Sequence, residues 1–193
     1  MSACVLLMSQ SKLISKAPVI ETERILLRGH RVSDFLECAK MWADDAVTRH
    51  ITGRPSSSQQ TWSRILGYAG HWSLMGYGYW AIEEKKSKAY IGELGFADFK
   101  REIDPAIQGT PEMGWALKPS AQGLGYAKEA IQTALAWADA NLKCDRTACI
   151  INPDNLRSIA LAEKFGFRWF RDTRYMDALV KLYFRIRTLP RGD

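Results

Sequence analysis

The chain has no apolar run near the roughly 20 residues needed to span a bilayer, so no membrane segment is expected. Its 193 residues hold only three histidines (His30, His50, His71) and four cysteines (Cys4, Cys38, Cys144, Cys149). None of these stands at Cys-x-x-Cys or another metal-ligand spacing, so no metal is expected and the thiols read as reduced, in a cytoplasmic protein. The N-terminal apolar stretch Ala3–Met8 is short for a signal core and lacks a basic flank before it. No Lys/Arg block, zinc-finger spacing or RNA-recognition motif appears, so the net charge of +6 suits an anionic ligand and no nucleic acid partner is expected. Repeats, low-complexity tracts and a linker long enough to separate a pair of domains are lacking as well. What remains, 47% hydrophobic and 25% charged, is ordinary for one globular domain. The expectation is a flexible tail over 1–17 and a single domain over 18–193, as monomer or homodimer.

Strand and helix periods alternate along that domain. Val19–Arg28 reads as a strand, and Ser33-Asp34 caps a helix carrying Phe35, Leu36, Ala39, Met41 and Trp42. A turn-rich patch, Thr52–Ser58, leads to a second helix with Trp62, Ile65, Leu66, Ala69 and Trp72. Tyr79–Glu83 and Ala89–Phe96 read as a hairpin, and Glu112–Leu117, ended by Pro119, as a further strand. Ala127, Ala130, Ile131, Ala134, Leu135, Ala138 and Leu142 mark one face of the longest helix. Arg146–Ile151 is a short buried strand, Asn155–Lys164 a helix, and Arg168–Tyr175 with Leu179–Arg187 a closing antiparallel pair. The expected fold is α/β (α+β): a mixed, mostly antiparallel twisted sheet of about seven strands with about four helices.

Everything converges on Gln122-Gly123-Leu124-Gly125-Tyr126-Ala127, the turn between the Glu112–Leu117 strand and the long helix. A glycine turn opening a helix aims free backbone N–H groups and the positive end of the helix dipole at one point, which suits a phosphate. A dinucleotide fingerprint needs a third glycine where Lys128 stands, and a Walker loop needs Gly-Lys-Ser/Thr where Gly125-Tyr126-Ala127 stands. Neither fits. The hexapeptide instead resembles the acyl-CoA signature of the GNAT N-acetyltransferase superfamily, Gln or Arg, two residues, Gly, one residue, Gly or Ala. Asn155-Leu156-Arg157-Ser158 and Glu163-Lys164-Phe165-Gly166-Phe167 extend the likeness over roughly residues 20–187, in the manner of the Rim-type branch, which includes enzymes that acetylate ribosomal-protein N-termini.

That resemblance implies an acetyl-CoA-dependent N-acetyltransferase acting directly within a ternary complex. It implies acetyl-CoA as cosubstrate on Gln122, Gly123, Leu124, Gly125, Tyr126 and Ala127, on the backbone of Trp115 and Leu117, and on Asn155. A β-bulge near Trp115 would free main-chain N–H groups for the thioester oxygen. The acceptor, a peptide or protein N-terminus or a small-molecule amine, must shed a proton. That costs roughly 4 kcal/mol for an amine of pKa about 10 at pH 7, and about 1 kcal/mol for an α-amine. A carboxylate helps, and Glu112 is the candidate base, with Glu83, Glu93 and Asp98 as rivals. Many relatives donate a proton to the thiolate from a tyrosine where this chain has Ala162, which leaves Ser158, sharing a helix face with Asn155. The alternative is a CoA-binding module without catalysis.

Overall fold

A computed structural model describes residues 16–187. All but the last two residues of the expected tail lie outside it. Among the described residues eight strands form one sheet in the order β1-β2-β3-β4-β5-β6-β8-β7, with five α-helices against it. The strands are β1 (Ile20–Glu21), β2 (Ile25–Arg28), β3 (Tyr79–Glu84), β4 (Tyr90–Ala97), β5 (Glu112–Leu117), β6 (Arg146–Ile151), β7 (Arg168–Tyr175) and β8 (Ala178–Ile186). The helices are α1 (Phe35–Trp42), α2 (Asp45–Thr48), α3 (Ser58–Met75), α4 (Tyr126–Asn141) and α5 (Leu156–Lys164). Every strand pair is antiparallel except β5–β6.

The helix boundaries follow local chemistry. Ser57 caps α3 in a reciprocal box with Gln60, and Gly76 ends it in the left-handed conformation at φ 73°. Asn155 caps α5 by accepting from the Ser158 N–H. Two departures from the sequence reading have clear causes. The strand expected over Val19–Arg28 is broken into β1 and β2 by a turn at Thr22, whose backbone N–H donates to the Ile25 carbonyl and whose hydroxyl oxygen accepts from the Ile25 N–H. Asp34 does not cap α1 with its side chain; its carboxylate is drawn instead to the Arg28 guanidinium, 2.7 Å, and the Arg31 N–H.

Alternation along β4 divides the core. Leu94 and Phe96 point to one face, where Ala130, Ile131, Ala134, Leu135 and Ala138 of α4 cover them. The other face carries Ala81, Ala116 and, past the register shift that skips Ile91, Tyr90, beneath Cys38, Met41 and Trp42 of α1 and Ile65 of α3. Glu93 points to this second face, fully buried. No helix among the described residues is long and apolar enough to cross a membrane, and none of their His, Cys, Asp and Glu side chains cluster as a metal-holding set.

Candidate active site

The parallel pair β5–β6 holds together at one register point only, Glu112 with Ala148. Beyond it the two strands diverge, so one edge of β5 from Met113 onward faces no strand. On its other edge β5 keeps an unbroken register with β4, from Ala97 with Glu112 to Gly92 with Leu117. The expected β-bulge is therefore absent, and the splay of β5 from β6 exposes the main chain in its place. A cleft of about 680 Å³ opens at the splay, walled by β5, the start of α5, the loop before α3 and the β7–β8 turn. Trp115, Asn155 and Ser158 line it, together with Glu112 at its paired end. From Glu112 to Leu117 the strand covers about 17 Å at roughly 3.3 Å per residue, an edge suited to an extended, amide-bearing arm.

The loop 122–127 lies past the C-terminal end of β5. Gly123 and Gly125 adopt φ of 77° and 85°, a left-handed conformation that side chains resist. No protein acceptor is found among the described residues for the backbone N–H groups of 123–128, the first turn of α4 included. A Cβ on Gly123 would meet open space. The loop is exposed and lines no part of the cleft, and unpartnered N–H groups at such an open helix N-terminus are the donor set a diphosphate requires. The Gln122 side chain points back to donate to the Leu117 carbonyl, 3.0 Å, which pins the loop to the strand end. Tyr126 donates to Glu84, 2.6 Å, and anchors the loop to β3. Arg24, which carried no sequence motif, donates to the Leu124 carbonyl at 2.9 Å and to Glu129, bringing a cation against the loop.

The four carboxylates named from sequence meet different fates. Glu112 is buried and held by both arms of Arg101, at 2.6 and 2.8 Å. Burial pushes its pKa up, and Arg101 only partly pulls it back. Each oxygen gives Arg101 one lone pair and keeps another. Arg101 is in turn flanked by the rings of Phe99 and Tyr175, 4.7 and 4.5 Å away. Asp98 is tied to Lys100 and to the Gly109 N–H and stays outside the cleft wall. Glu83 is bound by Arg28 at 2.7 Å, on a strand that contributes to the cleft only through Tyr79.

Glu93 reaches the cleft but is saturated with donors. One oxygen accepts from Trp42 Nε1, 3.1 Å, and Tyr68 OH, 2.5 Å; the other accepts from Tyr90 OH, 2.8 Å, and Cys38 Sγ, 3.4 Å. His30 Nε2 stands 3.4 Å away without hydrogen-bonding geometry. Burial alone would raise this carboxyl, yet the facing His30, Tyr68 and Arg64 outweigh it and hold its pKa at about 2. A carboxylate so stabilised is a poor base and a strong structural tie. Its depressed pKa contributes stability that is present above about 4.5 and lost as pH falls toward 2, on the order of 3 kcal/mol. Glu93→Gln is therefore expected to be less stable than wild type at pH 7 and to show a shallower stability loss from pH 5 to 2. Urea unfolding at several pH values measures both.

In α5, Asn155 Oδ1 is engaged in the cap while its amide N–H groups have no protein acceptor among the described residues. The Ser158 hydroxyl is likewise unengaged there, and Ala162 is wholly buried. Sequence reasoning missed Arg24, Arg64, Arg101, Trp42 and Tyr175. Trp42 stood among the apolar residues of the first helix and Tyr175 at the end of a closing strand; the arginines carry no motif.

The model of the family described as "Acetyltransferase (GNAT) domain" matches residues 24–168. The chain is 27% identical over 152 residues to "Uncharacterized N-acetyltransferase YoaA" of Bacillus subtilis (strain 168), covering 78% of this chain and 83% of that one. It superposes on a putative GnaT-family acetyltransferase from Bordetella pertussis with a TM-score of 0.78 at 29% identity, over 88% of this chain and 99% of the other. RimL, a ribosomal L7/L12 α-N-protein acetyltransferase solved in complex with coenzyme A, shares the fold, with a TM-score of 0.70 at 18% identity over 88% and 98%.

Proposed function

The chain belongs to the GNAT acetyltransferase family, and we propose that it passes the acetyl group of acetyl-CoA directly to a primary amine while both substrates are bound. The observation that carries this reading is the alignment of two features on one strand. Past the C-terminal end of β5 lies a loop of unpartnered N–H groups, and at the start of β5 lies a buried carboxylate facing a cleft. Acetyl-CoA supplies an activated thioester; the residues of the chain bind and orient it and manage protons. Loop 122–127 takes the diphosphate, the free edge of β5 at Trp115 and Leu117 takes the arm, and the Asn155 amide donates to its thioester end. Negative charge growing on the thioester oxygen meets the main-chain N–H groups of the splayed strand.

Glu112 accepts the acceptor's proton on the lone pairs that Arg101 leaves free, directly or through water. Ser158 donates toward the departing sulfur. The cleft also holds Cys149, but burial raises its thiol pKa well above the ordinary value, which keeps it protonated and disfavours an acetyl-cysteine route. A peptide N-terminus is one fitting acceptor, by likeness to RimL, and a small-molecule amine is the other. Initial rates of CoA release at several concentrations of both substrates test the order of events. Intersecting double-reciprocal lines are expected; parallel lines contradict direct transfer. Ser158→Ala is expected to lower kcat about 10-fold with acetyl-CoA affinity unchanged, as suits one lost hydrogen bond of roughly 1.4 kcal/mol. An unchanged kcat removes Ser158 from the mechanism.

A further inference from the structure

The charges on the cleft wall are uneven. Arg49, Arg54, Arg64 and Arg101 face Glu93 and Glu112, with no lysine or aspartate among the lining residues. Arg101 and Glu112 neutralise each other in their two-armed pair. Glu93 has both oxygens taken by the donors from Trp42, Tyr68, Tyr90 and Cys38. Arg49 pairs only with Asp45, one turn back on an exposed surface. Arg54 and Arg64 have no carboxylate within ion-pair distance among the described residues.

Arg64 is the one of these that is built in. Its guanidinium carbon lies over the indole of Trp42, 3.7 Å from the ring centroid. Its Nε is buried without a hydrogen-bond partner. Trp42 cannot turn away, because its own N–H is fixed on Glu93. The buried carboxylate thus holds the indole, and the indole holds the guanidinium, with a planar fork of donors left over at the cleft wall. Such a fork matches a carboxylate.

We infer that the acceptor carries a carboxylate beside its amine, and that Arg64, held over Trp42 and sharing the cleft wall with Arg54, binds that carboxylate. The inference rests on the transferase reading and names its acceptor class: a free amino acid, or a peptide with an acidic residue near its N-terminus. Polyamines, which bring only positive charge, meet like charge on this wall. Arg64 and Glu112 line the same cleft, so the inference requires an acceptor whose carboxylate and amine reach one each.

The test compares acceptors that differ by one group: L-tyrosine with tyramine, L-histidine with histamine, L-arginine with agmatine. A second arm compares Ser-Asp-Ala with Ser-Lys-Ala, both C-terminally amidated. CoA release is measured with the full-length protein, after acetyl-CoA binding has been confirmed by calorimetry. The expected result is that carboxylate-bearing members of one arm exceed their partners at least about 10-fold in kcat/KM; the arm that shows it identifies amino acid or peptide. In Arg64→Met the advantage collapses toward one, through a KM rise of about 10- to 100-fold for the carboxylate acceptor, the worth of one charged hydrogen bond. Arg64→Lys restores some of it, since charge returns without the fork.

If Arg64 serves only as a distant counter-charge to Glu93, its loss lowers stability and slows both members of a pair alike, and the inference falls. Preferred turnover of the amines lacking a carboxylate overturns it too. Binding of acetyl-CoA with turnover of neither set overturns the acceptor class while sparing the cofactor site. Failure to bind acetyl-CoA overturns the transferase reading itself.

Discussion

Gly125→Trp is expected to leave a folded protein whose affinity for acetyl-CoA falls at least about 100-fold. Gly125 sits at φ 85° at the mouth of α4, where a side chain costs roughly 1–2 kcal/mol of backbone strain. A Cβ placed there already stands 3.3 Å from the Arg24 guanidinium, so an indole must displace that cation or cover the loop N–H groups beside it. Either way the N–H groups of 123–128 lose their approach to a diphosphate. A 100-fold loss corresponds to about 2.7 kcal/mol, which two or three weakened charge-assisted hydrogen bonds supply. Circular dichroism checks that α4 persists and calorimetry reads the affinity. A folded variant that binds as wild type would show the loop to be structural only.

The second large effect belongs to Glu112→Gln. Turnover is expected to drop about 100- to 1,000-fold, the range for losing a positioned base, with the acetyl-CoA affinity kept. The pH dependence carries the sign. Glu112 works as a base only when ionised, and burial raises its pKa above the ordinary glutamate value of 4.5. In wild type, kcat/KM therefore falls as pH drops through that raised value; in the variant this limb disappears. The variant also leaves the Arg101 guanidinium buried against an amide, so a lower unfolding midpoint accompanies the loss, and rates are to be read well below it. Wild-type rates across the pH range would assign proton removal to water and to the acceptor's own low pKa.

Much of the frame that carries these residues is legible in the sequence. The turn Gln122–Ala127 declares itself through two glycines ahead of a helix with a clear apolar face, and the Asn155 cap and the Gly166 stop bracket α5. These signals are local, so composition and period suffice. Alternation also places Glu93 opposite Leu94 and Phe96. What alternation cannot show is that Trp42 from α1, Tyr68 from α3 and Tyr90 from β4 converge on that one carboxylate and turn a rival base into a tie. Arg101 escapes notice for the same reason. It comes from the irregular segment between β4 and β5, and only the β4–β5 register brings it onto Glu112, 11 positions away in sequence. Arg64 lies on the helix face turned to the cleft, where polar residues break no period. The turn at Thr22 that splits the first strand depends on a hydroxyl reaching Glu129, 107 positions along the chain.

One titration tests the cofactor site most directly: acetyl-CoA into the full-length protein by calorimetry, with NAD as the control. Saturable binding of acetyl-CoA is expected with a Kd on the order of micromolar, within the usual range for enzyme substrates, and no binding of NAD. Absence of acetyl-CoA binding, or equal binding of both, would contradict the transferase reading, because the N–H cluster at 123–128 would then be an ordinary strand-to-helix turn or a general diphosphate site.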